Sequence, residues 1–255
     1  MITFGIALFV LGAIVASFIG VVAARLNTGQ SFLTGRSRCD ACDAPLPVTA
    51  LVPIVSYAAS RARASCCGSR LALISPVSET LLGGLFLLAY LALGASPALP
   101  FMLIALSALL MLVLYDLAHQ ILPSSLLAVF VAASAFSGLF AAPSLAAFFD
   151  TLLVAVCIAL SLALINILSR GRAMGLADAP LSFGLALLAG PAAFPGFVFS
   201  FWIGAVIGIA LLAGRPAGSR MGVEVPFAPF LAAGFLLAYF TQWNPFIYIA
   251  ALSGN

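Results

Sequence analysis

Charge is what this chain most lacks. Only 7% of its 255 residues are Asp, Glu, Lys or Arg, lysine is absent, and His119 is the single histidine. No basic run with interleaved aromatics occurs, so the groove with which single-strand binders track a phosphate backbone is excluded and no nucleic acid partner is expected. No basic segment precedes the first apolar run, and its first positive charge, Arg25, comes after it; a cleaved secretory signal has the opposite order. That run is expected to be retained as a helix.

What the chain does have is apolar residue, 64% of the total, in runs near the roughly 20 residues that span a bilayer. The expected fold class is an all-α polytopic membrane protein of about eight transmembrane helices. The pattern predicts them at Ile2–Ala24, Leu71–Leu93, Ala98–Tyr115, Pro123–Phe140, Thr151–Leu168, Ala177–Gly190, Ala193–Gly214 and Pro226–Trp243. The sixth is short and only Pro191-Ala192 separates it from the seventh, so seven helices with one broken is the alternative. Arginine placement favours eight. With eight alternating spans every arginine falls on one side: Arg25, Arg36, Arg38, Arg61, Arg63 and Arg70 after the first helix, Arg170 and Arg172 before the sixth, Arg215 and Arg220 before the last. The opposite loops hold one charge, Asp150. The positive-inside bias makes the arginine side cytoplasmic, both termini external, and Arg25–Arg70 a small cytoplasmic Cys-containing insert. Trp243, Tyr239 and Tyr248 read as an aromatic belt at the outer interface.

Of only seven acids, two sit at the ends of apolar runs: Asp116 closes the third span and Asp178 opens the sixth, both on the cytoplasmic side. Ionisable groups at membrane depth mark functional sites by default. Each taken alone reads more simply as a helix-end carboxylate, and Asp178 is well placed near a helix N-terminus. Two carboxylates on one face, however, can share a proton, one serving as base towards a water while the other donates to a substrate carbonyl. That is aspartic-protease chemistry.

The insert carries Cys39-Asp40-Ala41-Cys42 and, further on, Cys66-Cys67, a spacing close to that of a zinc ribbon. Adjacent cysteines are expected to point apart, which weakens the second pair as joint ligands. In a reducing cytosol metal binding is favoured over a disulfide. Cys157, within an apolar helix, reads as buried packing. His119 reads as a solvated loop residue. Glu79 lies inside the second helix, where a lone carboxylate is costly; it reads equally well as an ion-pair partner of Arg61, Arg63 or Arg25 and as a contact for a methyl donor or a substrate amine.

Taken in order, these motifs resemble those of the bacterial type IV prepilin peptidases, membrane aspartic proteases of the GxGD class. The first helix ends Ala16-Ser17-Phe18-Ile19-Gly20-Val21-Val22-Ala23-Ala24-Arg25-Leu26, close to G-S-F-x-N-V-V-x-x-R-L. The insert holds the cysteine knuckle, Val52-Pro53-Ile54-Val55-Ser56-Tyr57, the pair Arg61 and Arg63, and Pro76–Glu79 as P-x-x-E. Asp116-Leu117 with Leu122-Pro123 follow the first active-site motif, and Pro226-Phe227-Ala228-Pro229 is similar to P-F-G-P.

The resemblance implies a multi-pass enzyme of the bacterial inner (cytoplasmic) membrane with periplasmic termini, acting on pilin-like precursors in the lipid bilayer. It implies Asp116 and Asp178 as catalytic residues, and Gly175, Glu79, Arg61 and Arg63 as the substrate or cofactor region. Cys39, Cys42, Cys67 and Cys66 would hold structural zinc. S-adenosylmethionine would be the donor for methylating the freed N-terminus, residues 1–95 the methyltransferase-like region, and residues 96–255 the peptidase domain. The peptidase itself needs no cofactor.

Several positions depart from the family pattern. Gly20 replaces an asparagine, Ala64 stands where a third zinc cysteine is expected, and Ala177 and Pro180 replace the second glycine and the lysine of G-x-G-D-x-K. A proton-coupled transporter and a membrane scaffold that has lost catalysis are the other functional classes compatible with these residues. A transporter predicts acids at the bilayer midplane and repeat symmetry between halves; neither is evident in the sequence.

Overall fold

The computed structural model describes residues 2–26, 41–42, 44, 53–54, 57, 59–60, 62–64, 66–172, 174–213 and 225–245. Among them are eight α-helices and no strand; the nearest approach to one is an isolated antiparallel bridge between Arg63 and Arg70. The helices are α1 (Ile2–Arg25), α2 (Ile74–Leu93), α3 (Ala98–His119), α4 (Ser124–Ala141), α5 (Leu145–Leu168), α6 (Asp178–Ala189), α7 (Ala193–Ala213) and α8 (Ala228–Thr241). The chain divides into two compact units, Met1–Gly94 and Ala95–Asn255.

The two largest boundary shifts from the sequence pattern have local reasons. α5 begins at Leu145 rather than Thr151, because the Ser144 hydroxyl caps it by accepting from the Ala147 N–H at 3.2 Å. α3 runs on through Asp116 to His119 and stops where Gln120 turns left-handed at φ 55°, so Asp116 lies inside the last turn instead of ending the helix. Between α6 and α7, Gly190 adopts φ 59° and one 3-10 turn, Gly190–Ala192, follows. The apolar stretch Asp178–Leu211 is 34 residues long, about 50 Å as a straight helix and longer than a bilayer core of about 30 Å. Breaking at Gly190 leaves α6 with 12 residues, about 18 Å, too short to cross alone. Five other helices, α1 to α5, are long and apolar enough to span, and α8 is a shorter apolar helix.

In the first unit, α1 and α2 pack antiparallel, with Gly12 opposite Gly83 and Gly5 opposite Leu87 and Tyr90. A Cβ on Gly12 would stand 2.8 Å from the Gly83 Cα, so the two backbones touch. This is the close approach by which small residues drive helix association where lipid removes the hydrophobic force.

In the second unit α6 is the central element: Leu181, Ser182, Leu185 and Ala186 are fully buried, and α4, α5, α7 and α8 pack around it. Small residues again set the distances. A Cβ on Gly138 in α4 would lie 2.6 Å from the Leu187 carbonyl oxygen, and one on Gly184 in α6 would lie 2.6 Å from the Phe130 ring. The outward face of α5 is apolar, with Leu145, Phe149, Leu153, Leu160 and Leu164 exposed. An exterior of this kind suits lipid as solvent. Cys157 is exposed on α5, contrary to the buried packing expected, because it lies off the buried stripe formed by Ala155, Ile158 and Leu162. Trp243 is half exposed and stacks on Phe199 at 5.2 Å; Tyr248 lies outside the described residues.

Candidate functional site

Asp116 in the last turn of α3 and Asp178 at the first position of α6 are each only 7% exposed, and their carboxylates are close enough to interact electrostatically. Neither is a solvated helix-end acid. Each is held by a backbone N–H from a different segment. The Ala228 N–H, at the first position of α8, donates to the Asp116 carboxylate. The segment Pro226-Phe227-Ala228-Pro229 places it there. Pro229 has no N–H, so it sits in the first helical turn without loss and preorganises the start. The N-terminal end of a helix carries partial positive charge, suited to a neighbouring carboxylate. On the other side, Asp178 Oδ2 accepts from the Gly175 N–H at 3.1 Å.

Local capping accounts for part of the Asp178 geometry but not for Asp116. Asp116 Oδ2 is buried with no hydrogen-bond partner among the described residues. A buried acceptor without a partner costs about 1–3 kcal/mol, and such a group calls for an explanation, of which a catalytic role is one. Gly175 is not in the left-handed region. A Cβ there would stand 3.4 Å from Asp178 Oδ2, so the glycine leaves the face of that oxygen open. His119 is exposed, as expected, but it is the last residue of α3 and not a loop residue, and it lies against the Tyr115 ring at 4.4 Å between centroids.

In the first unit Glu79 is 4% exposed, and both of its oxygens accept: Oε2 from the Ile54 N–H at 2.7 Å and Oε1 from the Ser75 hydroxyl at 3.2 Å. Ile54 has φ 61°, an uncommon backbone state for a β-branched residue. The buried carboxylate thus anchors a tight turn of the insert to α2. Arg63 is exposed, and Arg61 lies outside the described residues.

The cysteines meet more closely than the sequence suggests. Ala64 accepts from the Gly68 N–H and donates its own N–H to Ser69, both at 2.8 Å, with Gly68 at φ 70°. This knuckle turns the sulfurs of Cys66 and Cys67 to within 3.9 Å, overturning the expectation that adjacent cysteines point apart, and Cys42 Sγ lies 3.3 Å from that of Cys66. All three sulfurs fall within 4.8 Å of one another. Tetrahedral zinc with bonds of about 2.3 Å needs sulfurs about 3.8 Å apart, so the cluster fits that ion. Cys39 lies outside the described residues.

A polytopic membrane protein with two buried aspartates brought together from separate helices belongs, by fold and site, among the intramembrane carboxylate proteins. Comparison with known proteins narrows this. Residues 10–93 match the Bacterial Peptidase A24 N-terminal domain. The prepilin leader peptidase/N-methyltransferase of Bacillus subtilis (strain 168) is 30% identical over 238 residues, covering 91% of this chain and 92% of that protein. The protein of the same name from Myxococcus xanthus (strain DK1622) is 39% identical over 123 residues, 48% of this chain and 37% of the relative. No solved structure matches. The chain belongs to the prepilin leader peptidase/N-methyltransferase family, as the order of its motifs along the chain implies.

Proposed function

We propose that Asp116 and Asp178 form the catalytic pair of an aspartic endopeptidase that removes the basic leader of pilin-like precursors at the cytoplasmic face of the bacterial inner membrane. The observation that carries this is the burial of two mutually interacting carboxylates, one with an unpartnered oxygen. With one proton between them, the ionised carboxylate takes a proton from a water as that water attacks the scissile carbonyl. The protonated one donates to the carbonyl oxygen. The resulting tetrahedral centre then collapses: the carboxyl now holding the water's proton gives it to the departing amine as the C–N bond breaks, and the other, now ionised, takes a proton from a hydroxyl of the centre, which restores the singly protonated pair. A precursor whose basic leader stays in the cytoplasm while its apolar helix lies in the bilayer presents its scissile bond at the helix ends where the pair sits. Both acids lie in terminal turns, which supports this reading over a proton-relay transporter, whose acids belong near the midplane. Incubating membranes with a pilin-like precursor and following the leader by mass spectrometry tests it; no cleavage by the wild-type chain would leave the scaffold reading.

In this proposal residues 96–255 carry the peptidase and residues 1–95 the methyltransferase-like region. Of the residues expected to meet a methyl donor, Glu79 has each oxygen engaged by a donor of its own unit, which ties its charge to holding the insert. The mass of the new N-terminus in the same experiment reads whether a methyl group is added.

Cys42, Cys66 and Cys67, with Cys39 as fourth ligand, would hold zinc in a closed structural site that orders the insert and takes no part in hydrolysis. Purified protein is expected to carry about one zinc per chain, and Cys66→Ser to lose most of it. Ala64→Cys should restore retention to that variant under chelator. Full zinc content in a chain with both Cys42→Ser and Cys66→Ser would reject the site.

The topology proposed has both termini periplasmic and the arginine-bearing loops cytoplasmic. A thiol reagent that cannot cross the membrane should label Ala95→Cys above the parent chain in intact cells and should reach Arg172→Cys only after lysis. The reverse pattern would invert the orientation.

A further inference from the structure

Asn166, in the last turn of α5, is the one asparagine between Asn27 and Asn244, and it stands in an otherwise apolar run. Its Nδ2 donates to the Met174 carbonyl oxygen at 2.7 Å. That carbonyl and the Gly175 N–H belong to the same planar peptide unit. The Gly175 N–H in turn donates to Asp178 Oδ2 at 3.1 Å. Fixing one end of a rigid amide fixes where the other end points, and accepting at the carbonyl polarises the N–H, strengthening the second bond.

The α5 terminus is itself locked against rotation. Its chain reverses at Arg170 and Gly171, with φ 53° and 74°. The Gly171 N–H and the Ser169 hydroxyl both return to the Asn166 carbonyl, at 2.8 and 3.1 Å. The backbone of Asn166 therefore ends the helix while its side chain reaches across to the loop before α6.

We infer that Asn166 is a positioning residue for the active site: through the Met174–Gly175 peptide it sets the orientation of the Asp178 carboxylate towards Asp116. This rests on the proposed peptidase reading. It also gives the α5–α6 loop a purpose beyond connection, because the peptide preceding the aspartate is clamped from outside its own turn.

The test measures kcat and KM for cleavage of a pilin-like precursor by the full-length chain in detergent, with melting temperature recorded for each variant. Asn166→Asp has the same shape but, ionised, has no N–H to donate. It should lower kcat about tenfold to a hundredfold, the scale of a small misplacement of a reacting group, with KM and melting temperature little changed. Asn166→Gln, which keeps the amide, should recover part of that loss. Asp178→Asn serves as reference. If it cleaves like wild type, the peptidase reading fails; if it is inactive while Asn166→Asp keeps wild-type kcat, only the positioning role fails. Parallel loss of kcat and melting temperature in Asn166→Asp, with no recovery in Asn166→Gln, or failure of both variants to accumulate, would show a structural role alone and overturn the inference.

Discussion

Asparagine in place of Asp116 or Asp178 is expected to abolish precursor cleavage, by about a thousandfold or more, while the protein still inserts and melts within a few degrees of wild type. The magnitude follows from the pair acting as a unit: when either member is lost, the remaining one can supply only half of the proton traffic, and the loss approaches that of removing both. The double variant should thus be scarcely worse than either single one. Stability is predicted to hold because asparagine keeps the shape of the side chain and a carbonyl oxygen that accepts from the Ala228 N–H at position 116 or the Gly175 N–H at position 178. Gel-shift or mass analysis of the precursor, beside thermal melting of the purified variants, checks both halves. Cleavage near the wild-type rate by Asp178→Asn would show the altered Gly175–Pro180 motif to be a vestige. Equal loss of activity and fold would make the pair structural.

The fold was legible in the sequence because in lipid the backbone must satisfy itself within each segment, so apolar runs announce helices almost by length alone. Where expectation and structure part, polar details decided. Ser144 starts α5 six residues earlier than the hydrophobic pattern suggests, through a single hydroxyl. The two aspartates stood out by scarcity, since seven acids in 255 residues leave few candidates. Their neighbours did not. Ala228 acts through its backbone N–H, which any residue but proline offers, and no side-chain motif reports on where that group points. A lone amide in an apolar run marks Asn166 in the sequence, but its meaning depends on a contact with Met174 that is set by the helix turn, not by spacing. For the cysteines, spacing alone misjudged Cys66, because the knuckle from Ala64 to Ser69 decides where that sulfur faces.

The same dependence on close approach makes Gly234→Ala the substitution with the largest expected effect away from the carboxylates. Gly234 lies in α8 against Ser200 in α7, and an added Cβ would collide with the Ser200 backbone nitrogen and hydroxyl and come within 2.6 Å of its Cα. A flexible side chain could swing aside, but these are mostly backbone atoms of a helix, so α7 and α8 must separate. Ser200 also ties them together, its single buried hydroxyl proton shared between the Gly196 carbonyl oxygen of α7 at 2.8 Å and the Leu231 carbonyl oxygen of α8 at 3.3 Å. Overpacking of a well-filled interior costs about 1–3 kcal/mol, and here the lost hydrogen bond adds about 1 kcal/mol more. Displacement of α8 should be felt at its first residue, because Ala228 is the donor to Asp116. Gly234→Ala is therefore expected to lower both the melting temperature and kcat. Gly208→Ala, also in a membrane helix but with open space around the added Cβ, is expected to change neither adversely. Thermal melting and precursor cleavage on the two variants side by side decide the matter. A Gly234→Ala protein that melts like wild type would show that α7 and α8 do not meet backbone to backbone. One that melts lower yet cleaves normally would show that the Asp116 carboxylate does not depend on the placement of α8.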